Sequence, residues 1–397
     1  MKKKCLFLLL ILGLPQTGVF GQDTLSGRPL VEFDSHWYFR SAINDSIAGT
    51  FIFDTGASHL IFDSLYLARS GYTPGEMGTS LFSGVGTARE KGGYVAEPTT
   101  IRFDTLSYTF NGAPVLQVRP VLGRRADGIV GWPLLAGRVA MFDYETGQVT
   151  VFAPDSPPDL TGYTALPLAY RRYRYHVRAE AEPGNGKRIR GKFLLDLGSS
   201  GAISFTSGTA RKYKLNRITP SVESYARNAG VGGEGRSTVF RATAVTIGGF
   251  RVEELICSHS HNTSGSMATK KYLGLLGNRL LRHFSVIIDF KTRTLYLKPN
   301  GEFGKRLDLP HTGMGLTDRT DICEGFIVNL ILVERNAERA GVRPGDIITH
   351  VEDRPVTEMT RQEIAEILRN KGATVGLTVR RGEEIFEIAL PLVDQGI

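Results

Sequence analysis

Cysteine is scarce in this chain, 3 among 397 residues, and Cys5 falls in an apolar run near the start. The other two, Cys257 and Cys323, are too few for a disulfide scaffold; they lie in different candidate domains and read as buried free thiols. Long hydrophobic runs are also missing. Residues 5–14 fall short of the roughly 20 that a spanning helix needs, and no later stretch approaches that length. Charge of one sign is not concentrated. Of the formal +8, three charges belong to Lys2, Lys3 and Lys4, leaving +5, and the basic residues are scattered apart from Arg171-Arg172-Tyr173-Arg174. This argues against nucleic-acid binding by phosphate neutralisation. There is no His-Glu-x-x-His, no Gly-x-Ser-x-Gly and no Walker-type phosphate loop. Cys257, His259 and His261 alternate and would share one strand face, but a fourth ligand is missing, so no metal and no cofactor are expected.

What the chain does have is an internal repeat. Phe51-Ile52-Phe53-Asp54-Thr55-Gly56-Ala57-Ser58 is answered by Phe193-Leu194-Leu195-Asp196-Leu197-Gly198-Ser199-Ser200, with the two aspartates 142 residues apart. Gly128-Ile129-Val130-Gly131 is answered by Gly274-Leu275-Leu276-Gly277 at an offset of 146, which also relates Leu134-Leu135 to Leu280-Leu281 and Asp143-Tyr144 to Asp289-Phe290. Duplication is the economical reading. With 41% hydrophobic residues, 46 glycines and many short Val/Ile/Thr/Tyr/Phe runs between turns, the chain reads as globular and mainly β. Strand-like runs occupy 30–33, 37–43, 49–53 and 147–152 in the first half, and 175–181, 285–289 and 294–297 in the second, with a hairpin turn at 182–186. Proline-rich residues 153–158 read as a linker.

An aspartate at the end of an apolar strand, followed one residue later by glycine, sits on a tight turn that another backbone can approach closely. Two such turns face to face would hold two carboxylates that share a proton, one serving as general base towards water while the other donates to a carbonyl. Asp54-Thr55-Gly56-Ala57 and its partner box resemble the aspartic peptidases, with the alanine variant typical of retropepsin-like lobes. The resemblance covers about 270 residues. It implies two β-barrel-like lobes, Asp54 and Asp196 as a catalytic dyad, Thr55, Gly56, Gly198 and Ser199 as loop support, and extended polypeptides as substrates. Both halves lie in one chain, so the site needs no oligomer. One departure stands out: the family usually has Thr or Ser after each aspartate, whose hydroxyl ties the loops, and here Leu197 offers none. Ala57 also lacks the hydroxyl that Ser199 can give its own carboxylate, which places the weaker donor set on Asp54 and suggests a less acidic optimum.

Glycine-rich segments about 30 and 35 residues beyond the aspartates, containing Gly84 and Gly86, and Gly232 and Gly233, are candidate flaps over the cleft. After a second linker at 300–304 the character changes. Residues 338–348, Glu-Arg-Ala-Gly-Val-Arg-Pro-Gly-Asp-Ile-Ile, precede an amphipathic helix over 360–370 with Thr360 and Glu363 as a capping box and Gly372 as its stop. With Gly313-Met314-Gly315-Leu316 this resembles a PDZ domain of the bacterial protease-associated kind. The resemblance implies a small α/β module capturing peptide C-termini at Gly313, Met314, Gly315 and Leu316, with the peptide added to a sheet edge.

The expected plan is a signal peptide over 1–21, lobes over 22–155 and 156–300, and a PDZ domain over 301–397. The basic head and short apolar run point to export, to the periplasm or beyond. The expected function is an aspartic endopeptidase; the alternative is a non-catalytic, peptide-binding adaptor with a degenerate cleft. The two part at Leu197: carboxylates within hydrogen-bonding distance favour the enzyme, splayed loops the adaptor.

Overall fold

The computed structural model describes residues 20–21, 36–86, 88–230 and 232–397. Most of the expected signal segment and the strand read at 30–33 lie outside the described residues. The fold is mainly β, as expected. Each half contributes seven strands to a sheet that curls until its first strand pairs with its sixth. In the first lobe the order is Tyr38–Ile43, Ile47–Asp54, Gly128–Gly131, Leu60–Asp63, Leu106–Leu116, Arg89–Phe103 and Met77–Ser83, closed where Ile43 meets Ile101. The second lobe repeats it with Arg174–Glu182, Ile189–Leu195, Gly274–Leu276, Ile203–Phe205, Phe250–Ser260, Gly235–Ile247 and Ser221–Ala226, closed where Ala181 meets Val245. The repeat is therefore one of topology as well as of sequence.

A third sheet joins the lobes. Val139–Asp143 runs antiparallel to Phe284–Asp289, flanked by Gln148–Phe152 and Thr294–Pro299, with Thr164–Pro167 at one edge and Phe20–Gly21 at the other. Removal of the expected signal segment would leave five strands. The runs at 147–152 and 294–297 thus serve this shared sheet rather than closing their own lobes; burial of Val149 and Leu295 in the common core holds them there. Met141 faces Ile287, its own counterpart at the repeat offset of 146, so a pseudo-two-fold axis passes between them. The apolar core runs without a break through both lobes. Phe53 stacks on Phe142 at 5.7 Å and meets Phe290 edge-on at 6.5 Å, which joins the strand carrying Asp54 to residues of the central sheet.

The C-terminal module has its own core, including Met314, Val328, Ile348, Ile364 and Leu390. Its helix, Arg361–Leu368, begins with the expected capping box: Thr360 accepts from the Glu363 N–H and Glu363 from the Thr360 N–H. The module is not a pendant. Its strand Phe326–Leu332 pairs on one edge with Met314–Asp318 and, at residues 330–332, on the other edge with Ser221–Ala226 of the second lobe. It reaches the first lobe as well. The Arg124 N–H donates to the Asp318 carbonyl at 2.9 Å, and the buried Arg119 guanidinium spans Asp127 at 2.7 Å in its own lobe and Asp321 at 3.2 Å in the module. Among the described residues no helix is long and apolar enough to cross a membrane.

Candidate active site

Ile47–Asp54 lies beside Gly128–Gly131, and Ile189–Leu195 beside Gly274–Leu276, in parallel pairing, and each aspartate emerges where its strand leaves the sheet. The paired glycine boxes now have a physical reason. A Cβ on Gly131 would stand 2.6 Å from the Ala57 carbonyl oxygen, and one on Gly277 would stand 2.5 Å from that of Ser199. These glycines let the two aspartate-bearing loops press down on the neighbouring strand. The glycines of the Asp-x-Gly boxes do the same across the pseudo-axis: a Cβ on Gly198 would fall 2.5 Å from Asp54 Cγ, and one on Gly56 3.1 Å from Asp196 Cγ.

Asp54 and Asp196 meet there, hydrogen-bonded to one another, Asp196 buried and Asp54 half-buried. Gly56 N–H donates to Asp54 Oδ1 at 2.6 Å, and Gly198 N–H to Asp196 Oδ1 at 3.0 Å. Burial, the charge of Asp54 and the hydrogen bond between them hold the Asp196 carboxyl well above the usual carboxylate range. Burial raises the Asp54 carboxyl too, but the Gly56 N–H, the hydrogen bond with Asp196 and the nearby charge of His36 work the other way, and Asp54 is raised less than Asp196. The asymmetry therefore runs opposite to the one drawn from Ala57 and Ser199. The hydrogen bond within the pair lowers Asp54 and raises Asp196, and the His36 imidazole, which arrives from the segment before the first strand, adds to it, while no hydrogen bond joins the Ser199 hydroxyl to Asp196. The pair therefore favours the proton on Asp196 and the charge on Asp54.

Leu197 does not part the loops. Thr55, fully buried, donates from Oγ1 to the Leu195 carbonyl at 2.7 Å and accepts the Leu197 N–H at 3.0 Å, which is one half of the inter-lobe tie. The reciprocal hydroxyl is absent, and two other contacts, made by three residues, cross the gap instead. His36 Nε2 donates to the Gly198 carbonyl at 3.1 Å. Asn278 Nδ2 donates to the Leu197 carbonyl at 2.7 Å and to Ser199 at 3.1 Å, while Tyr144 of the first lobe donates its hydroxyl to Asn278 Oδ1 at 2.6 Å. Sequence reasoning missed all three. Asn278 left a signal: it follows the second glycine box where the first has Trp132. His36 left none.

Both candidate flaps lie over the cleft and touch. The hairpin tip between Ser83 and Arg89 meets the tip between Ala226 and Gly235 where the Ala88 N–H donates to the Gly232 carbonyl at 3.0 Å. Gly232 and Gly233 have φ of 102° and 79°, conformations that require glycine. The first tip is also held by the second lobe, through Ser266 to Gly84 and Asn262 to Val85. In the C-terminal module, the Gly313 N–H is taken by Pro310 and the Met314 N–H by the Thr312 hydroxyl, so two of the four expected carboxylate-binding amides are engaged internally. Gly315 and Leu316 lie within the strand Met314–Asp318, beside the cleft. Cys257 and Cys323 are both free, the first buried and the second half-buried.

A fold of two β lobes sharing a paired-carboxylate cleft, with a third module against it, defines the class. Residues 332–381 match the family model of the PDZ domain, and the C-terminal module is a PDZ domain. A solved aspartic proteinase from Irpex lacteus is similar to the chain at a TM-score of 0.42 and 14% identity, over 69% of this chain and 95% of that one. A search of curated proteins finds no match.

Proposed function

We propose that the protein is an exported aspartic endopeptidase whose PDZ domain binds peptide. The observation that carries this is the hydrogen-bonded pair of Asp54 and Asp196 on symmetry-related loops beneath two flaps. Asp54 is the base that takes a proton from water; Asp196, kept protonated, donates to the scissile carbonyl as the water oxygen attacks. No covalent intermediate forms, and the flaps exclude competing solvent. Export rests on the basic head and apolar run of the first residues. Nothing in the geometry favours the adaptor reading, since the loops are tied despite Leu197.

The test is cleavage of an unbiased peptide library by the mature chain between pH 3 and 8. Asp54→Asn and Asp196→Asn are each expected to lower the rate by at least about 10²-fold. Cleavage that survives either substitution, or a folded wild-type chain that cleaves nothing, would overturn the reading.

A further inference from the structure

The two flaps are built alike but moored differently. The outer strand of the first, Met77–Ser83, ends its sheet and is exposed along almost its whole length. Its counterpart in the second, Ser221–Ala226, is continued by the PDZ strand Phe326–Leu332. Pairing begins with the Val333 N–H on the Glu223 carbonyl at 2.8 Å and runs through residues 330–332 opposite residues 224–226. It does not stop where the flap strand does. The Arg227 N–H donates to the Asn329 carbonyl at 2.8 Å. The Asn329 carboxamide then clasps the next residue twice, Oδ1 accepting the Asn228 N–H at 2.9 Å and Nδ2 donating to the Asn228 carbonyl at 3.0 Å. The Arg227 side chain lies over the PDZ turn at Gly345, where a Cβ would fall against its guanidinium. Immediately beyond, the chain enters the tip. There Gly230, Gly232 and Gly233 have φ of 132°, 102° and 79°, and Gly232 meets Ala88 of the opposing flap. A carboxamide that satisfies both backbone groups of one residue is a directional join, and the glycine conformations begin just past it.

Resting on the peptidase reading, we infer that Asn329 of the PDZ domain is a positioning residue for cleavage: it fixes the point from which the second flap swings, and so where the tip closes on substrate. A chain enters only when the tips part, which breaks the bond between Ala88 and Gly232. The stem through Asn228 then stays with the PDZ strand while the glycine tip lifts. Without the clasp, Arg227 and Asn228 lift with it, and each closure has to order them again. That ordering falls on substrate binding and persists in the transition state. The PDZ domain thereby serves cleavage even of a peptide that never enters its groove.

The experiment uses the full chain and a short peptide taken from the cleavage library, amidated so that the PDZ domain has no carboxylate to hold. Asn329→Ala is expected to raise KM about tenfold and to leave kcat within about twofold. Mere loss of folded enzyme does the reverse, lowering kcat at unchanged KM. Hydrogen exchange over residues 227–235 is expected to quicken about tenfold, with Ile347–Val351 of the PDZ core unchanged. Since Asn329→Ala can loosen its own strand, Asn329→Asp is the second variant. It keeps the acceptor for the Asn228 N–H and lacks the donor, and its KM is expected to lie between the other two. An unchanged KM in both variants, a fall in kcat alone in both, or exchange that quickens over the whole PDZ domain in both would overturn the inference. A failure of the peptidase reading shows instead as absent cleavage by the wild type, with exchange over residues 227–235 still quickened by Asn329→Ala.

Discussion

Asp196 is held protonated by burial and by Asp54, and this has a cost that pH reveals. A carboxyl whose folded pKa is raised contributes stability below its unfolded pKa and loses it as pH rises through the folded value. Asp196→Asn is therefore expected to raise the melting temperature at pH 7 by a few degrees, at about 2–4 °C per kcal/mol, with the gain vanishing near pH 3.5. Thermal scans at both values check it; an equal gain at both would mean that the dyad does not titrate as described. In the wild type, activity should fall on the acid side as Asp54 is protonated and on the alkaline side as Asp196 ionises, so the alkaline limb lies above the ordinary carboxylate range. The two Asp-x-Gly boxes were readable because the chain states them twice. His36 and Asn278 were not, because a hydrogen bond to a carbonyl leaves no pattern in sequence: its meaning depends on which loop arrives opposite.

Among the elements, the paired flaps are the most exposed to a single change. A Cβ on Gly86 would fall on the Gly232 carbonyl carbon of the opposing tip, with no flexible side chain to give way. Gly86→Ala should keep the tips apart, lowering kcat/KM by about 10²-fold through misplaced substrate and leaving the melting temperature unchanged, since the tip lies outside the core. Steady-state kinetics beside a thermal scan separates that outcome from simple destabilisation. Glycine spacing placed both hairpins but did not tell whether they would meet. Strand alternation likewise located 147–152 and 294–297 without saying which sheet they join, because an alternating run specifies a buried face and not a neighbour. The PDZ helix was legible to its cap because capping is a local contract between Thr360 and Glu363.

At the scale of the whole molecule, the continuous core makes the two lobes one cooperative unit. Phe142 lies in the central sheet against Phe53 and Trp37, and Phe142→Ala is expected to cost about 3–5 kcal/mol. Hydrogen exchange should quicken alike over Ile47–Asp54 and Ile189–Leu195; a change confined to the first would show that the lobes unfold separately. The central ladder carries one more consequence. Since Met141 faces its own repeat counterpart, two identical copies of either half would satisfy the same rungs with themselves. The molecule has the layout of a self-complementary pair whose chains have been spliced end to end. An identical pair must accept every substitution twice. Only the splice allows a threonine to answer a leucine beside the dyad, a histidine to lean on one carboxylate, and a single flap to carry the PDZ strand.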